Sequence, residues 1–212
     1  MSEIIDGVNK RGGECYFQKC DISEEQELDN NVQQTLQKFK KIDILINNTG
    51  ITNCKFFRKN SFEDIEKVMA VNFLGPVSLI KKILPNMLDN NQGHIVNVAS
   101  IASIIPYIKM TDYCASKAAL SGFHNGLRLE LKNMKKNIYT TLIYPQDDNT
   151  GMLKALQTKL KGILPIFDEN MIAEKIYNSI LQQKEEIFIH WSWKQVAIFL
   201  RILPIFLVDW IS

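Results

Sequence analysis

The stretch Ser100–Lys117, SIASIIPYIKMTDYCASK, sets Ser100, Tyr113 and Lys117 at fixed intervals, and all three side chains are suited to moving a proton. Tyr113 and Lys117 open a run to Leu131 in which small and apolar residues recur at helical spacing, so the pair falls at i and i+4 on one helix face. A free phenol titrates near pH 10, and a neighbouring ammonium favours the phenolate, which would let Tyr113 exchange a proton with a substrate oxygen. Ser100 ends the apolar run Ile95-Val96-Asn97-Val98-Ala99, which reads as a buried strand. Its hydroxyl would then emerge at the strand's carboxyl end, where ligands of open α/β sheets bind. Tyr-x-x-x-Lys alone is more often a half-buried aromatic beside a solvated lysine, so its reading depends on the rest of the chain.

At 212 residues the chain is long enough for one domain with a sizeable core, and 46% hydrophobic with 23% charged residues excludes a disordered chain. A formal charge of +2 without a basic block gives no support to nucleic-acid binding. Cys15, Cys20, Cys54 and Cys114 form neither a Cys-x-x-Cys pair nor a Cys/His cluster, which argues against zinc and against a disulfide framework. His94, His124 and His190 are scattered, each reading as a strand-edge or surface residue, so no metal is implied. The amino-terminal residues carry neither a cationic flank nor a long apolar run, so they do not read as a secretory signal or membrane anchor.

In chain order, residues Ser2 to Lys10 read as a short helix ended by Gly12 and Gly13, and Glu14 to Cys20 as a strand. Asp21-Ile22-Ser23 is a turn in which Asp21 or Ser23 could cap the next helix. Glu24 to Phe39 has the pattern of an amphipathic helix covering a sheet, and Asp43 to Asn47 that of a buried parallel strand. Ser61, with Asp64 three residues on, opens a helical stretch to about Leu88 with a capping-box start. Ile138 to Tyr144 is a further strand, Glu169 to Gln182 a helix, and Glu186 to His190 a last strand. Beyond residue 192 an apolar tail, 193–212, is broken by Arg201, Pro204 and Asp209 and flanked by tryptophans. It is shorter than a spanning helix needs, and suits either a lipid boundary or packing over a subunit interface or substrate cleft.

Ser100, the fuller Tyr-Cys-Ala-Ser-Lys of residues 113–117, Asn47-Asn48-Thr49-Gly50 after a strand, and Val71-Asn72-Phe73-Leu74-Gly75 occur in one order. Together they resemble the short-chain dehydrogenase/reductase family. The resemblance implies an α/β, Rossmann-like, doubly wound parallel sheet over residues 1–192. It also implies an NAD or NADP cofactor and hydride exchange between an alcohol and a carbonyl. Asn72, Ser100, Tyr113 and Lys117 take the catalytic places. In the family, Asn72's counterpart holds an ordered water in a proton relay and distorts its helix locally. Asp21, Asn48, Thr49, Gly50, Tyr113, Lys117, Pro145 and Thr150 match cofactor-binding positions. Thr49 replaces the usual Ala, Gln146 the usual Gly, and Asp147 and Asp148 are unexpected beside a pyrophosphate.

Short motifs, including Gly93-His94-Ile95-Val96 and Gly122-Phe123-His124, look most like the 17-beta-hydroxysteroid and retinol dehydrogenases that associate with membranes or lipid droplets. That subfamily implies a steroid, retinoid or fatty alcohol as substrate; Ile104, Ile105, Tyr107, Ile108 and Met110 would give such a substrate an apolar wall, although they read equally as core formers. It further implies a homodimer and a place on the cytoplasmic face of the endoplasmic reticulum or on a lipid droplet, reached through the tail, or otherwise in the cytoplasm. Residues 1–212 contain no Thr-Gly-x-x-x-Gly-x-Gly turn to cradle the pyrophosphate, and Gly7, Gly12 and Gly13 have the wrong spacing. The expectation is a sheet truncated at the amino terminus, with the first two strands missing, in which Glu14–Cys20 pairs with Asp43–Asn47, hangs unpaired or is completed by another chain. Two alternatives to the enzyme stay open. One is a non-catalytic lipid-surface or partner-binding paralogue, and the other is an incomplete form of a full enzyme.

Overall fold

The computed structural model describes residues 2–145 and 169–190, with isolated positions at 192, 194, 195 and 199. Among the described residues, four parallel strands form one sheet in the order β1 (Ile44–Asn47), β2 (Gly93–Val98), β3 (Ile138–Tyr144) and β4 (Glu186–Phe188). Helices α1 (Ser2–Lys10) and α2 (Glu25–Phe39) precede the sheet. The crossovers are α3 (Phe62–Met69) and α4 (Gly75–Asp89) before β2, α5 (Thr111–Asn133) before β3 and α6 (Glu169–Leu181) before β4. Every residue of β2 is buried, which is what a continuous apolar run produces when both faces of a parallel strand are covered. Ile95 packs with Val32 of α2, Ile80, Ile83 and Met87 of α4, and Leu131 of α5. Val96 and Val98 point the other way, into Ile143, Ile187 and the α6 residues Ile172 and Ile180. Helices therefore cover both faces, as the doubly wound reading requires.

The glycines after α1 end it as expected. Gly12 has φ of +78°, its amide bonds the Asn9 carbonyl at 3.0 Å, and the Gly13 amide bonds the Val8 carbonyl at 3.1 Å. This paired closure satisfies carbonyls that the helix leaves open. The segment Glu14–Cys20 departs from expectation, since it forms no strand. Among the described residues β1 pairs only with β2, so its other edge stays open and the segment does not take it, which is the unpaired alternative. The segment lies instead along α2: Tyr16 donates to Gln34 at 3.0 Å, Asn31 donates to Gln18 at 3.2 Å, and Lys38 pairs with Glu14. The outer face of β1 keeps Ile44 and Ile46 about half exposed.

The stretch opened by Ser61 is helical with the expected capping box. The Asp64 amide bonds Ser61 Oγ at 3.1 Å, and the Ser61 amide bonds Asp64 Oδ2 at 3.2 Å. Between α3 and α4 the helix widens into a π turn, Ala70–Leu74, that carries Asn72. At its exit the backbone of Ile22 comes so close that a Cβ on Gly75 would stand 2.5 Å from the Ile22 carbonyl oxygen. Glycine at residue 75 is what lets the Asp21–Ser23 loop seat there.

Candidate active site

Tyr113 and Lys117 lie in the first turns of α5, and both are buried. The Lys117 ammonium donates to the Val98 carbonyl oxygen at 2.8 Å and lies 5.8 Å from the centre of the Tyr113 ring. Burial pushes the lysine down to about 8, because the charged form loses hydration that one carbonyl only partly replaces. At neutral pH it is still mostly protonated, so a positive charge sits beside the phenol. Gly50 closes the other side. A Cβ there would stand 3.3 Å from Lys117 Nζ and 3.6 Å from Asn72 Oδ1, so the β1 exit loop runs directly past both groups.

Asn72 is fully buried, and its amide is held on three sides. Oδ1 accepts from the Ile51 amide at 2.8 Å, while Nδ2 donates to the Ile51 carbonyl at 2.9 Å and to Ser116 Oγ at 3.0 Å. Ser116 in turn donates to the Tyr113 carbonyl at 2.8 Å. Ser100 stands just past β2, where its Oγ accepts from the Ala102 amide at 3.1 Å and caps a short 3-10 turn, Ile101–Ser103. Ala102 also packs against Tyr113 and Met110, which places serine and tyrosine around one residue. The structure thus links Asn72 to Tyr113 through Ser116 and to Lys117 along Gly50, with Ser100 joined through Ala102.

Ser116 and the Val98 carbonyl do not figure in the sequence reading, although Ser116 lies inside the quoted Tyr-Cys-Ala-Ser-Lys. Its signal was its place one turn after Tyr113, where a hydroxyl reaches back to the helix carbonyl. A second support is Asn53, which donates to Asp112 Oδ2 at 3.1 Å and to the Asp64 carbonyl at 3.2 Å, fastening the β1 exit loop to both helices.

The other residues matched to cofactor binding are more dispersed. Asn48 and Thr49 are exposed in the β1 exit loop beside Gly50. The Pro145 carbonyl accepts from the Ile101 amide at 2.9 Å, tying the end of β3 to the Ser100 turn. Asp21 does not cap α2, whose N-cap is Glu24 without a side-chain bond. Its Oδ1 accepts instead from the Ser23 hydroxyl at 2.7 Å and the Ser23 amide at 3.0 Å, and these bonds hold the carboxyl below the ordinary aspartate range. Thr150, Gln146, Asp147, Asp148 and most of the tail 193–212 lie outside the described residues. The apolar wall divides. Tyr107 and Met110 pack with Tyr113, and Ile105 is buried. Ile104 lines a separate cleft of about 390 Å³ with Tyr144 and Phe188, and Ile108 faces solvent.

Two histidines read as edge or surface residues are in fact buried. His94 Nε2 lies 2.7 Å from Thr141 Oγ1, whose own proton goes to the Lys184 carbonyl, so the ring is the donor. On the other face, Asn47 donates to Asn97 Oδ1 at 2.8 Å, and Asn97 Nδ2 meets His124 Nδ1 at 3.0 Å. An amide nitrogen can only donate, so His124 Nδ1 accepts and the ring is neutral. Burial, reinforced by the Arg128 charge, pushes His124 down to about 4. Among the described residues no group of metal-ligating side chains occurs.

A parallel, doubly wound sheet with a buried Tyr/Lys pair on the helix after a central strand, and a serine at that strand's exit, gathers polar side chains at the carboxyl end of the sheet, where ligands of open α/β folds bind. The short chain dehydrogenase family model matches residues 1–161, and the chain belongs to that family. It is similar to 17-beta-hydroxysteroid dehydrogenase 13 of Mus musculus, 35% identical over 201 residues, covering 88% of this chain and 64% of the relative. It is also similar to epidermal retinol dehydrogenase 2 of Mus musculus, 35% identical over 188 residues, covering 88% of this chain and 60% of the relative. The chain therefore spans less than two thirds of the length of these relatives. Among solved structures, a short-chain dehydrogenase/reductase from Burkholderia phymatum in complex with NAD superposes with a TM-score of 0.77 at 22% identity, covering 92% of this chain and 78% of that one.

Proposed function

We propose that this chain carries the catalytic half of a nicotinamide-dependent oxidoreductase that interconverts an alcohol and a carbonyl on a lipophilic substrate. The observation that carries this reading is the buried Lys117 ammonium, held between the Val98 carbonyl and the Gly50 backbone beside Tyr113. A lysine so placed, with donors to spare beyond Val98, suits the ribose hydroxyls of a nicotinamide nucleoside, and the close pass of Gly50 leaves a backbone cradle that a side chain would fill. These residues fit the nicotinamide end of the cofactor. When bound, that group supplies or accepts the hydride.

The chain's own part is the proton. The Lys117 charge favours the Tyr113 phenolate, so Tyr113 gives its proton to a forming alkoxide in reduction and takes it back from the alcohol in oxidation. Ser100 Oγ accepts from Ala102 and keeps its own O–H for the substrate oxygen. Asn72, clamped to Ile51 and Ser116, positions the β1 exit loop against Lys117, and by its family resemblance would support a proton relay from the lysine. Tyr107 and Met110 give the site an apolar side, consistent with a steroid, retinoid or long-chain alcohol.

Calorimetric titration of the purified chain with NADH and NADPH, beside a Tyr113→Phe/Lys117→Ala double variant, tests the reading. Saturable binding that the double variant weakens supports it. No binding by a chain shown to be folded rejects it for these residues, and leaves the non-catalytic reading.

A further inference from the structure

Two crossings of the chain lead from the wall of the Tyr113 site out to solvent. Cys54, packed against the Tyr113 cluster, runs into Lys55–Lys59, and Met110 of that cluster is preceded by Ile108 and Lys109. The two segments meet at the surface. The Lys109 ammonium lies 5.0 Å from the centre of the Phe56 ring, and Lys55 donates to Asp64 Oδ2 at 2.7 Å, holding its segment against the first turn of α3, where Phe62 stands.

Phe56, Phe57, Phe62 and Ile108 are 46%, 66%, 73% and 65% exposed. Apolar side chains gathered this way on a folded surface mark a place of interaction. The charges among them choose the partner. Lys55, Arg58, Lys59 and Lys109 alternate with the aromatics, against Glu63 and an Asp64 already bonded by Lys55. Lysine is depleted from the core of protein–protein interfaces, whereas aromatics that enter an apolar boundary beside cations that stay with phosphate are the chemistry of a bilayer surface.

We propose that this aromatic and basic surface docks on an anionic phospholipid bilayer. Docking there brings to the lipid the two segments that carry Cys54 and Met110 of the Tyr113 cluster; on the reading given under Proposed function, an apolar substrate then has a short path from lipid to site. The docking itself needs neither dinucleotide nor substrate, so the two readings fail separately.

The test is co-sedimentation of the full chain with phosphatidylcholine vesicles, with and without phosphatidylserine. Phe57→Ser/Phe62→Ser and Arg58→Ala/Lys59→Ala variants are compared, each first shown to melt like the parent. A Phe206→Ser/Trp210→Ser variant serves as a comparator in the carboxyl-terminal stretch. The expected result is binding that rises with phosphatidylserine and falls with salt. The aromatic pair should lower it by about tenfold or more, and each cation removed by roughly fivefold at low salt. The proposal is overturned if the parent does not bind, if both patch variants bind as the parent does while only the comparator loses binding, or if the patch variants alter only self-association in the absence of lipid.

Discussion

The side-chain nitrogen of Lys117 and the main-chain oxygen of Val98 meet at 2.8 Å, so helix α5 is tied by a charge to the last residue of β2. That bond places the ammonium under the Tyr113 ring, and it takes the charge out of water.

The energetic consequence of this burial depends on pH. Lys117 titrates at about 8 in the fold against 10.5 when unfolded, so between these values the unfolded chain binds more protons and stability rises with pH. Below about 8 the buried charge costs roughly 3 kcal/mol, and the cost disappears as pH climbs toward 10.5. Urea unfolding of the parent and of Lys117→Met at pH 7 and pH 10 should show the parent gaining on the variant at the higher value. Parallel curves would contradict it.

A second titration acts at the acid end. His124 accepts from Asn97 as a neutral ring and is held at about 4, against 6.5 when unfolded. Here too the unfolded chain binds more protons in between, so stability is full above about 6.5 and falls as pH drops toward 4, by about 3 kcal/mol in the limit. His124→Gln, which can still face Asn97, should start less stable at pH 7 and lose less between pH 7 and pH 5. Denaturant midpoints at the two values decide it.

Gly75→Ala should destabilise the fold by about 1–3 kcal/mol even though alanine is the better helix former by about 1 kcal/mol. The added carbon would stand 2.5 Å from the carbonyl oxygen and 3.2 Å from the carbonyl carbon of Ile22, backbone atoms with no rotamer to change. Thermal unfolding measures this, and a neutral result would mean that the Asp21–Ser23 loop moves freely.

Tyr113→Phe removes one oxygen from a buried ring that packs with Ala102 and Met110. The variant should fold normally, bind dinucleotide within a few-fold of the parent, and lose turnover of a lipophilic alcohol by about 10²–10⁴ or more, the share of a positioned acid or base. Cofactor absorbance under single-turnover conditions separates this from a binding defect.

The places of Tyr113, Lys117 and Ser100 were legible from local spacing, a helix turn and a strand exit, whereas Asn72 stood out only through the resemblance; the roles of all four belong to the proposed function. The crossover order was legible for the same reason, since strands and helices alternate with clear periods. What escaped depends on pairing between distant segments. His94 is buried because strand register sets Thr141 beside it, and His124 because α5 packs on the sheet face that carries Asn97; nothing near either histidine announces those partners. Glu14–Cys20 has a strand's alternation and no strand's structure, because alternation alone cannot say that the segment bonds α2 and leaves the outer edge of β1 open. The sequence reading placed Ile108 in the apolar wall by its hydrophobicity, which could not say that it faces outward.

The π turn at Ala70–Leu74 amounts to a phase slip of one residue in an otherwise continuous helix, Phe62–Asp89. Upstream of the slip the helix is indexed to α5; downstream, Ile80, Ile83 and Met87 are indexed to the sheet. Winding the same residues at a regular α pitch would rotate everything beyond the turn by about 100° and swing those three side chains off the core, whereas deleting one residue would leave them in phase. The irregularity that turns Asn72 inward is therefore locked from its far end, and the site cannot relax to ordinary helix without unpacking the protein.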